Sequence, residues 1–317
     1  MKILVTGGCG FIGSNFIEYI LGNYKNDVVV CVDKITYAGS IDNIRPFSNN
    51  KNFKFIKEDI CNSLAMEKIF KENSFDYVVN FAAESSVDFS IAHPDITYNT
   101  NVGGLICLID LAKKYHVKRF HQVSTDEVYG PNLGQPFLEN TPLQPTNPYS
   151  NSKAIGDVKL INEFKQNSFP MTITRSSNNF GPNQYIDKLI PLVIYNALNN
   201  KSIPIYGDGN YYRDWIFVDD HCKAIDLVLR FGTLGNIYNV STNNIKSNLE
   251  IVRYILNKLS KPESLMVNIA DRKNHDRRYA INADKIVNEL GFNSKNNFYT
   301  SLDYTIDYYI KKFKNIL

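Results

Sequence analysis

The chain has 317 residues, 44% of them hydrophobic, the composition expected of a soluble globular protein with room for one large domain or a main domain and a smaller companion. Its 35 Lys and Arg against 32 Asp and Glu leave a formal charge of +3, too weak a field to argue for nucleic acid or a membrane surface as partner. No stretch of about 18 apolar residues offers a membrane span, so small-molecule chemistry is the expectation.

The first run, KILVTG (2–7), is β-branched and breaks into glycine, and FIGSNFIEYILGNY after it repeats its apolar residues at helical spacing. That predicts strand, tight turn and helix. Gly7, Gly10 and Gly13 fall in a GxxGxxG pattern at the turn, where glycine lets backbone N–H groups and the helix N-terminus approach a pyrophosphate. VVVCVD (28–33) is a second apolar run that ends in Asp33. A carboxylate there accepts hydrogen bonds from an adenosine ribose and repels a 2′-phosphate, which favours NAD over NADP.

Further strands are predicted over 53–60, 77–83, 119–124 and 171–178, and helices over 64–72, over 97–116 and along YSNSKAIGDVKLINEFKQ. Strands alternating with helices predict a Rossmann-type, doubly wound parallel sheet with ligands at the carboxyl ends of its strands. From FGPNQY onward the alternation fades, and a smaller, discontinuous substrate domain is expected. The division reads as 1–174 plus about 213–242 for the NAD-binding domain, with 213–231 returning to the main sheet, and about 175–212 plus 243–317 for the second.

Cys9, Cys31, Cys61, Cys107 and Cys222 show no CxxC spacing and read as buried, reduced thiols in a cytoplasmic compartment. The apolar run in MKILVTGG is too short for a signal peptide. His93, His116, His121, His221 and His275 lack metal-ligand spacing, and no metal is expected.

Two motifs carry chemistry. STDEVYG (124–130) places Asp126 and Glu127 side by side where a strand ends, and adjacent carboxylates there repel each other and gain little packing. YSNSK puts Tyr149 and Lys153 at i and i+4 on one helix face. An ammonium beside a phenol lowers the phenol's pKa from about 10 toward working pH, so Tyr149 reads as a general base toward an alcohol.

With these residues in this order, the sequence resembles the extended short-chain dehydrogenase/reductase superfamily and, within it, the dTDP-glucose 4,6-dehydratases. The resemblance runs through KILVTGGCGFIGSN, VDKITYAGS, NFAAESSVDFSI, STDEVYG, PYSNSK, SNNFGPNQYIDKLIPLVI, IPIYGDG, RDWIFVDDH and ADRKNHDRRYAINADKI. It implies elimination of water across C5 and C6 of a nucleotide sugar. Tyr149 and Lys153 would act at the 4-hydroxyl with Thr125 beside it, Glu127 as base toward the C5 proton, Asp126 as acid toward the C6 oxygen, and enzyme-retained NAD would end each turnover unchanged. Two carboxyls can hold opposite protonation states at one site when burial and mutual repulsion raise one of them.

The resemblance assigns the cofactor to Gly7, Gly10, Phe11, Ile12, Gly13, Asp33, Lys34, Thr36, Gly39, Ser40, Asp59, Ile60, Phe81, Ala82, Ala83, Ser85, Thr100, Tyr149, Lys153 and Asn179. To the nucleotide sugar it assigns Ser85, Thr125, Asn178, Lys188, Leu189, Pro204, Tyr206, Arg213, Asn248, His275, Arg278 and Tyr279. It implies a homodimer packed through helices that include 97–116 and the one bearing Tyr149, with a product that feeds deoxysugar synthesis such as that of rhamnose. Ser86 and Phe89 stand where the family often carries His and Arg, Phe180 replaces a usual Tyr, and the loop from Gly130 to Tyr149 is shorter than in many members. The alternatives are the same dehydration of UDP-glucose, a nucleotide-sugar 4-epimerase, which has no use for the Asp126/Glu127 pair, and a non-catalytic NAD-binding regulator.

Overall fold

Short β-branched runs with apolar residues on both faces need covering on both sides, and the chain covers them. The computed structural model describes residues 1–132, 134–271 and 280–314. Strands β1 (Lys2–Thr6), β2 (Val28–Asp33), β3 (Phe53–Lys57), β4 (Tyr77–Asn80), β5 (Arg119–Thr125) and β6 (Met171–Ser176) are followed by β7 (Asn178–Phe180), β8 (Ile203–Tyr206) and β9 (Tyr212–Phe217). After them come β10 (Ile237–Val240), β11 (Ile245–Ser247) and β12 (Met266–Ile269). Seven of these form the central sheet in the order β10-β6-β5-β4-β1-β2-β3, every neighbouring pair parallel. The strand order reverses between β1 and β4, the place where doubly wound sheets open a crevice.

The helices are α1 (Phe11–Asn23), α2 (Ser63–Asn73), α3 (Val87–Ala92), α4 (Pro94–Tyr98), α5 (Leu105–Lys114), α6 (Pro148–Asn167), α7 (Leu189–Leu198), α8 (Val218–Phe231), α9 (Asn248–Lys258), α10 (Asp284–Leu290) and α11 (Phe298–Lys314). Leu4, Val30, Val78, Phe120 and Ile173 face one side of the sheet and pack with Met66, Leu108 and Leu160 of α2, α5 and α6. Their strand neighbours Ile3, Val5, Val29, Val79 and Val123 face the other side, against Phe16 and Ile20 of α1 and Ile225 and Leu229 of α8. Full burial of each such side chain is worth about 1.5–3 kcal/mol. A second apolar cluster draws Ile190 and Ile194 of α7, Trp215 of β9, Val252 and Ile255 of α9, and Leu302 and Ile306 of α11 around two small sheets, β11-β9-β7 and β12-β8.

The structure differs from the sequence reading in three places. The helix expected over 97–116 is interrupted: Asn99–Gly104 forms a π-helical turn between α4 and α5. The Asn101 side chain makes that turn useful, accepting from Glu84 N at 2.8 Å and donating to Glu84 O at 3.1 Å and to Ser152 Oγ at 2.9 Å. The segment 213–217 does not return to the main sheet. Its strand β9 pairs antiparallel with β11 and parallel with β7, because Trp215 belongs to the second cluster, and only α8 comes back. Strands expected to reach residues 60, 83 and 178 end at Lys57, Asn80 and Ser176, and the residues beyond bend away at the rim.

α8 is tied to the far end of α1 by Arg230, whose guanidinium reaches Asp27 Oδ2 and Asp226 Oδ1, each at 2.6 Å, and stacks 3.5 Å from the Tyr24 ring. In Arg230→Ala the Asp226 carboxylate, less than a tenth exposed, loses its cation, while Asp27 keeps the Met1 ammonium at 2.6 Å; removing one partner of a buried pair costs about 3 kcal/mol. The urea midpoint is expected to fall with the slope unchanged; an unmoved midpoint would show that the tie adds no stability.

Candidate active site

The crevice between β1 and β4 opens into a cleft. Its floor is the glycine turn. Gly7 has φ +72°, and a Cβ there would lie 2.5 Å from Ala82 N; one on Gly13 would lie 2.4 Å from Gly7 O. Both positions need glycine for that close approach, and Gly10, Phe11 and Ile12 line the cleft beside them. Asp33 accepts from Cys9 N at 2.9 Å and from Ile35 N at 2.7 Å, which pins the loop after β2 and holds Ile35 at φ 57°. Burial pushes the Asp33 carboxyl up, and those two amides oppose the push. Lys34 meets Asp59 at 3.2 Å, and Thr36, Gly39 and Ile60 complete this end.

Phe81, Ala82, Ala83 and Ser85 line the middle, with Thr100, whose hydroxyl is buried and has no hydrogen-bond partner. An orphaned buried hydroxyl aimed into a cleft whose floor admits no Cβ is the kind of surface a dinucleotide satisfies. Asn179 also lines it, its amide fixed by Ser176 Oγ at 3.1 Å and by Nδ1 of His221 at 2.8 Å.

β5 delivers the acidic turn. Thr125 caps a short 3₁₀ turn over Asp126–Tyr129, its Oγ1 accepting from Glu127 N at 3.2 Å. Across the cleft, α6 starts with a capping box in which Asn147 accepts from Ser150 N at 2.9 Å, and Pro148 stands at its first position. Tyr149 is thereby set in the first turn, with Lys153 one turn further. Thr125, Asp126, Glu127, Tyr149 and Lys153 share the cleft.

Their protonation is uneven. Burial, then the charges of Glu127 and Asp214, push the Asp126 carboxyl well above the usual carboxylate range, and its Oδ2 is buried without a partner. Burial pulls Lys153 down to about 8 against the opposing charge of Asp157, and its Nζ donates to Val123 O at 2.7 Å. The expectation that Lys153 lowers the Tyr149 pKa is not met. Burial and the charges of Glu127 and Asp126 push the phenol upward, a hydrogen bond from Thr125 opposes them, and the Lys153 ammonium is spent on the Val123 carbonyl.

Asn178 and Lys188 line the far end of the cleft, Lys188 lying 3.7 Å from Asp187. Leu189, Pro204, Tyr206, Arg213 and Asn248 do not line it. Leu189 packs on the second cluster and opens α7, Pro204 and Tyr206 lie on β8, and Asn248 opens α9. Arg213 on β9 is close enough for its charge to act on Asp126. Ser40 caps a 3₁₀ turn outside the cleft by accepting from Asp42 N. His275, Arg278 and Tyr279 lie outside the described residues. Sequence reasoning passed over Tyr37, Glu84 and Tyr185, all of which line the cleft. Phe89 stacks on Tyr37 at 5.6 Å, and Tyr37 meets Tyr185 edge-on at the same distance. An aromatic beside glycine, as in TYAGS, was the available signal for Tyr37.

A family model described as GDP-mannose 4,6 dehydratase matches residues 4–305. The chain belongs to this 4,6-dehydratase family. A dTDP-glucose 4,6-dehydratase of Haemophilus influenzae is 43% identical over 332 residues, covering 98% of each chain. The low-salt glycan biosynthesis protein Agl12 of Haloferax volcanii is 43% identical over 310 residues, covering 98% of this chain and 99% of its own. A crystal structure of a dTDP-glucose 4,6-dehydratase from Bacillus anthracis in complex with NAD superposes with a TM-score of 0.92 at 43% identity, covering 99% and 98% of the two chains. The cradle and the acidic turn are what this 4,6-dehydratase chain brings to one cleft.

A carboxyl whose folded pKa is raised holds its proton in the native state at a pH where the unfolded chain has released it. Stability is therefore lost as pH rises above the unfolded pKa of about 3.9, by up to about 1.4 kcal/mol per pH unit until the folded pKa is reached. Asp126→Asn removes that penalty. Urea midpoints are expected to coincide with the parent near the lower pH and to exceed it at neutral pH; equal midpoints across the range would mean that Asp126 is ionised in the fold.

Proposed function

We propose that the protein is an NAD-dependent hydro-lyase that converts dTDP-glucose to dTDP-4-keto-6-deoxyglucose. The observation that carries the reading is the turn after β5: two adjacent carboxyls, one pushed well above the usual carboxylate range by burial, open into the same cleft as a tyrosine, a lysine and a glycine cradle. An epimerase needs the cradle, Tyr149 and Lys153 but has no step for that pair.

The cradle, Asp33 and Thr100 would hold NAD, with Asn179 at its far side. When bound, it supplies the hydride acceptor at C4 and the donor at C6, and its positive ring favours the phenolate of Tyr149. Tyr149 takes the proton of the sugar 4-hydroxyl, with Lys153 stabilising the phenolate and Thr125 in hydrogen-bond reach of the phenol. The new ketone acidifies the C5 proton, and Glu127 removes it. Asp126 gives its proton to the C6 oxygen, which leaves as water. The cofactor ends as it began, so the net change is loss of one water.

Asn178 and Lys188 are proposed to meet the nucleotide diphosphate, with the second body, including Arg213 and Asn248, closing around the base; a lysine at the cleft end suits phosphate oxygens. Exposed Ile106 on α5 and Ile155 and Val158 on α6 support a homodimer through these helices in the cytoplasm. A product of this kind feeds deoxysugar synthesis such as that of rhamnose.

Incubation with dTDP-glucose in heavy water is expected to give a product that has lost one water and gained solvent deuterium. An unchanged mass would indicate epimerisation, an untouched substrate a sensor, and a faster reaction of UDP-glucose would reassign the nucleotide. Glu127→Gln is expected to bind NAD normally and to lose about 100-fold or more in rate; full turnover would remove Glu127 from the mechanism.

A further inference from the structure

β6 carries a cation where its pattern calls for a core residue. Met171 and Ile173 point into the cluster beneath α5 and α6, and two residues on, the same face presents Arg175, only 1% exposed. A buried guanidinium costs several kcal/mol in desolvation unless it is paired and hydrogen-bonded, and here it is both. Its Nε donates to Asp157 Oδ2 at 2.8 Å, one Nη donates to Tyr129 Oη at 2.9 Å and more weakly to Glu139 O at 3.4 Å, and its plane lies 4.8 Å from the Tyr129 ring centre.

These contacts bracket the acidic turn. Ser124, the residue before Thr125, stands opposite Arg175 in the β5–β6 register and donates to the same Asp157 oxygen at 3.1 Å. Tyr129, the last residue of the turn, donates onward to Asn239 Oδ1 of β10 at 2.8 Å. One end of the segment 124–129 is thus tied to the guanidinium through Asp157 and the other directly through Tyr129, and Thr125, Asp126 and Glu127 hang between the fastenings. Asp157 lies one helical turn beyond Lys153 on α6. Its second oxygen, Oδ1, is buried with no hydrogen-bond partner, and its charge acts on the Lys153 ammonium.

We propose that Arg175, held by Asp157 and Tyr129, is a positioning residue for the elimination step, fixing the turn that aims Asp126 and Glu127 at the sugar. Arg175 touches neither substrate nor cofactor in this scheme. The inference rests on the dehydratase reading given above. It predicts a selective defect: water loss and C5 proton exchange depend on where the two carboxyls sit, whereas hydride transfer from C4 depends chiefly on the cradle, Tyr149 and Lys153, which the fork does not hold directly, and shares with the turn only the Thr125 hydroxyl.

Arg175→Lys keeps the charge and loses the fork. Tyr129→Phe keeps the ring under the guanidinium and loses only the hydroxyl, so it decides the matter if the lysine variant does not fold. With dTDP-glucose in heavy water, single-turnover reactions report hydride transfer by the near-ultraviolet absorbance of the reduced nicotinamide, and elimination by deuterium at C5 and loss of water. Arg175→Lys is expected to slow elimination by about 10- to 100-fold, the penalty of an ångström-scale misplacement, with hydride transfer changed less than about threefold; Tyr129→Phe should act in the same direction but less. Reduced nicotinamide would then accumulate where the parent shows little. If both steps slow in proportion, or if the balance between them is unchanged, Arg175 is only a structural ion pair and the proposal falls. A parent protein that neither loses water nor takes up deuterium would sink the dehydratase reading itself, and the positioning role with it.

Discussion

A sheet packed on both faces has only its edges and strand ends left for chemistry, and nearly every functional feature of this chain follows from that restriction. Leucine, valine and isoleucine of the central strands are fully enclosed between two layers of helix. As the strands approach their carboxyl ends, the face beneath α5 and α6 turns polar. Thr6 donates to Asn80 at 2.6 Å, and Asn80 donates to Gln122 at 2.8 Å, across β1, β4 and β5; Ser124 and Arg175 continue the row. This polar shelf lies directly under the cleft. It gives the polar groups at the strand ends partners within the sheet, and it presents a turn containing two adjacent acids.

The same burial that encloses the shelf sets the proton distribution above it. Removing a carboxyl from water raises its pKa, and a neighbouring negative charge raises it further. Asp126 meets both conditions, while Glu127 beside it is only half-buried and acts on its neighbours as a charge. Two chemically similar side chains one residue apart, both lining the cleft, therefore differ in how deeply they are buried, and burial raises the deeper one. Tyr149 shows the cost of the arrangement, since burial and the Glu127 charge oppose formation of its phenolate.

Much of this was legible in the sequence. The β-branched runs and the glycine spacing specify strand, turn and helix through local chemistry, and Asp33 and the DE pair stand where their strands end at the cleft. What was hidden depends on long-range packing. Residues 213–231 read as returning to the main sheet, yet Trp215 draws 213–217 into the second cluster, and no local signal tells one sheet from another. Tyr37 and Tyr185 are far apart in the chain and meet only because two loops converge at the cleft. The break in the helix at 99–104 is set by Asn101 reaching the backbone of Glu84, a contact that periodicity does not register.

That π-helical turn has an evolutionary consequence. Thr100 and Asn101 are consecutive, yet one lines the cleft and the other braces the loop at Glu84 against α6. The wider turn accommodates a residue that a regular helix would not. Deleting a single residue there would close the wide turn to a regular one, leaving Leu105, Leu108, Ile109 and Ala112 in the core they fill while shifting the side chain that reaches Glu84. A one-residue change of length is therefore absorbed at this turn more readily than in the regular coil after it, where it would turn the apolar face by about 100°.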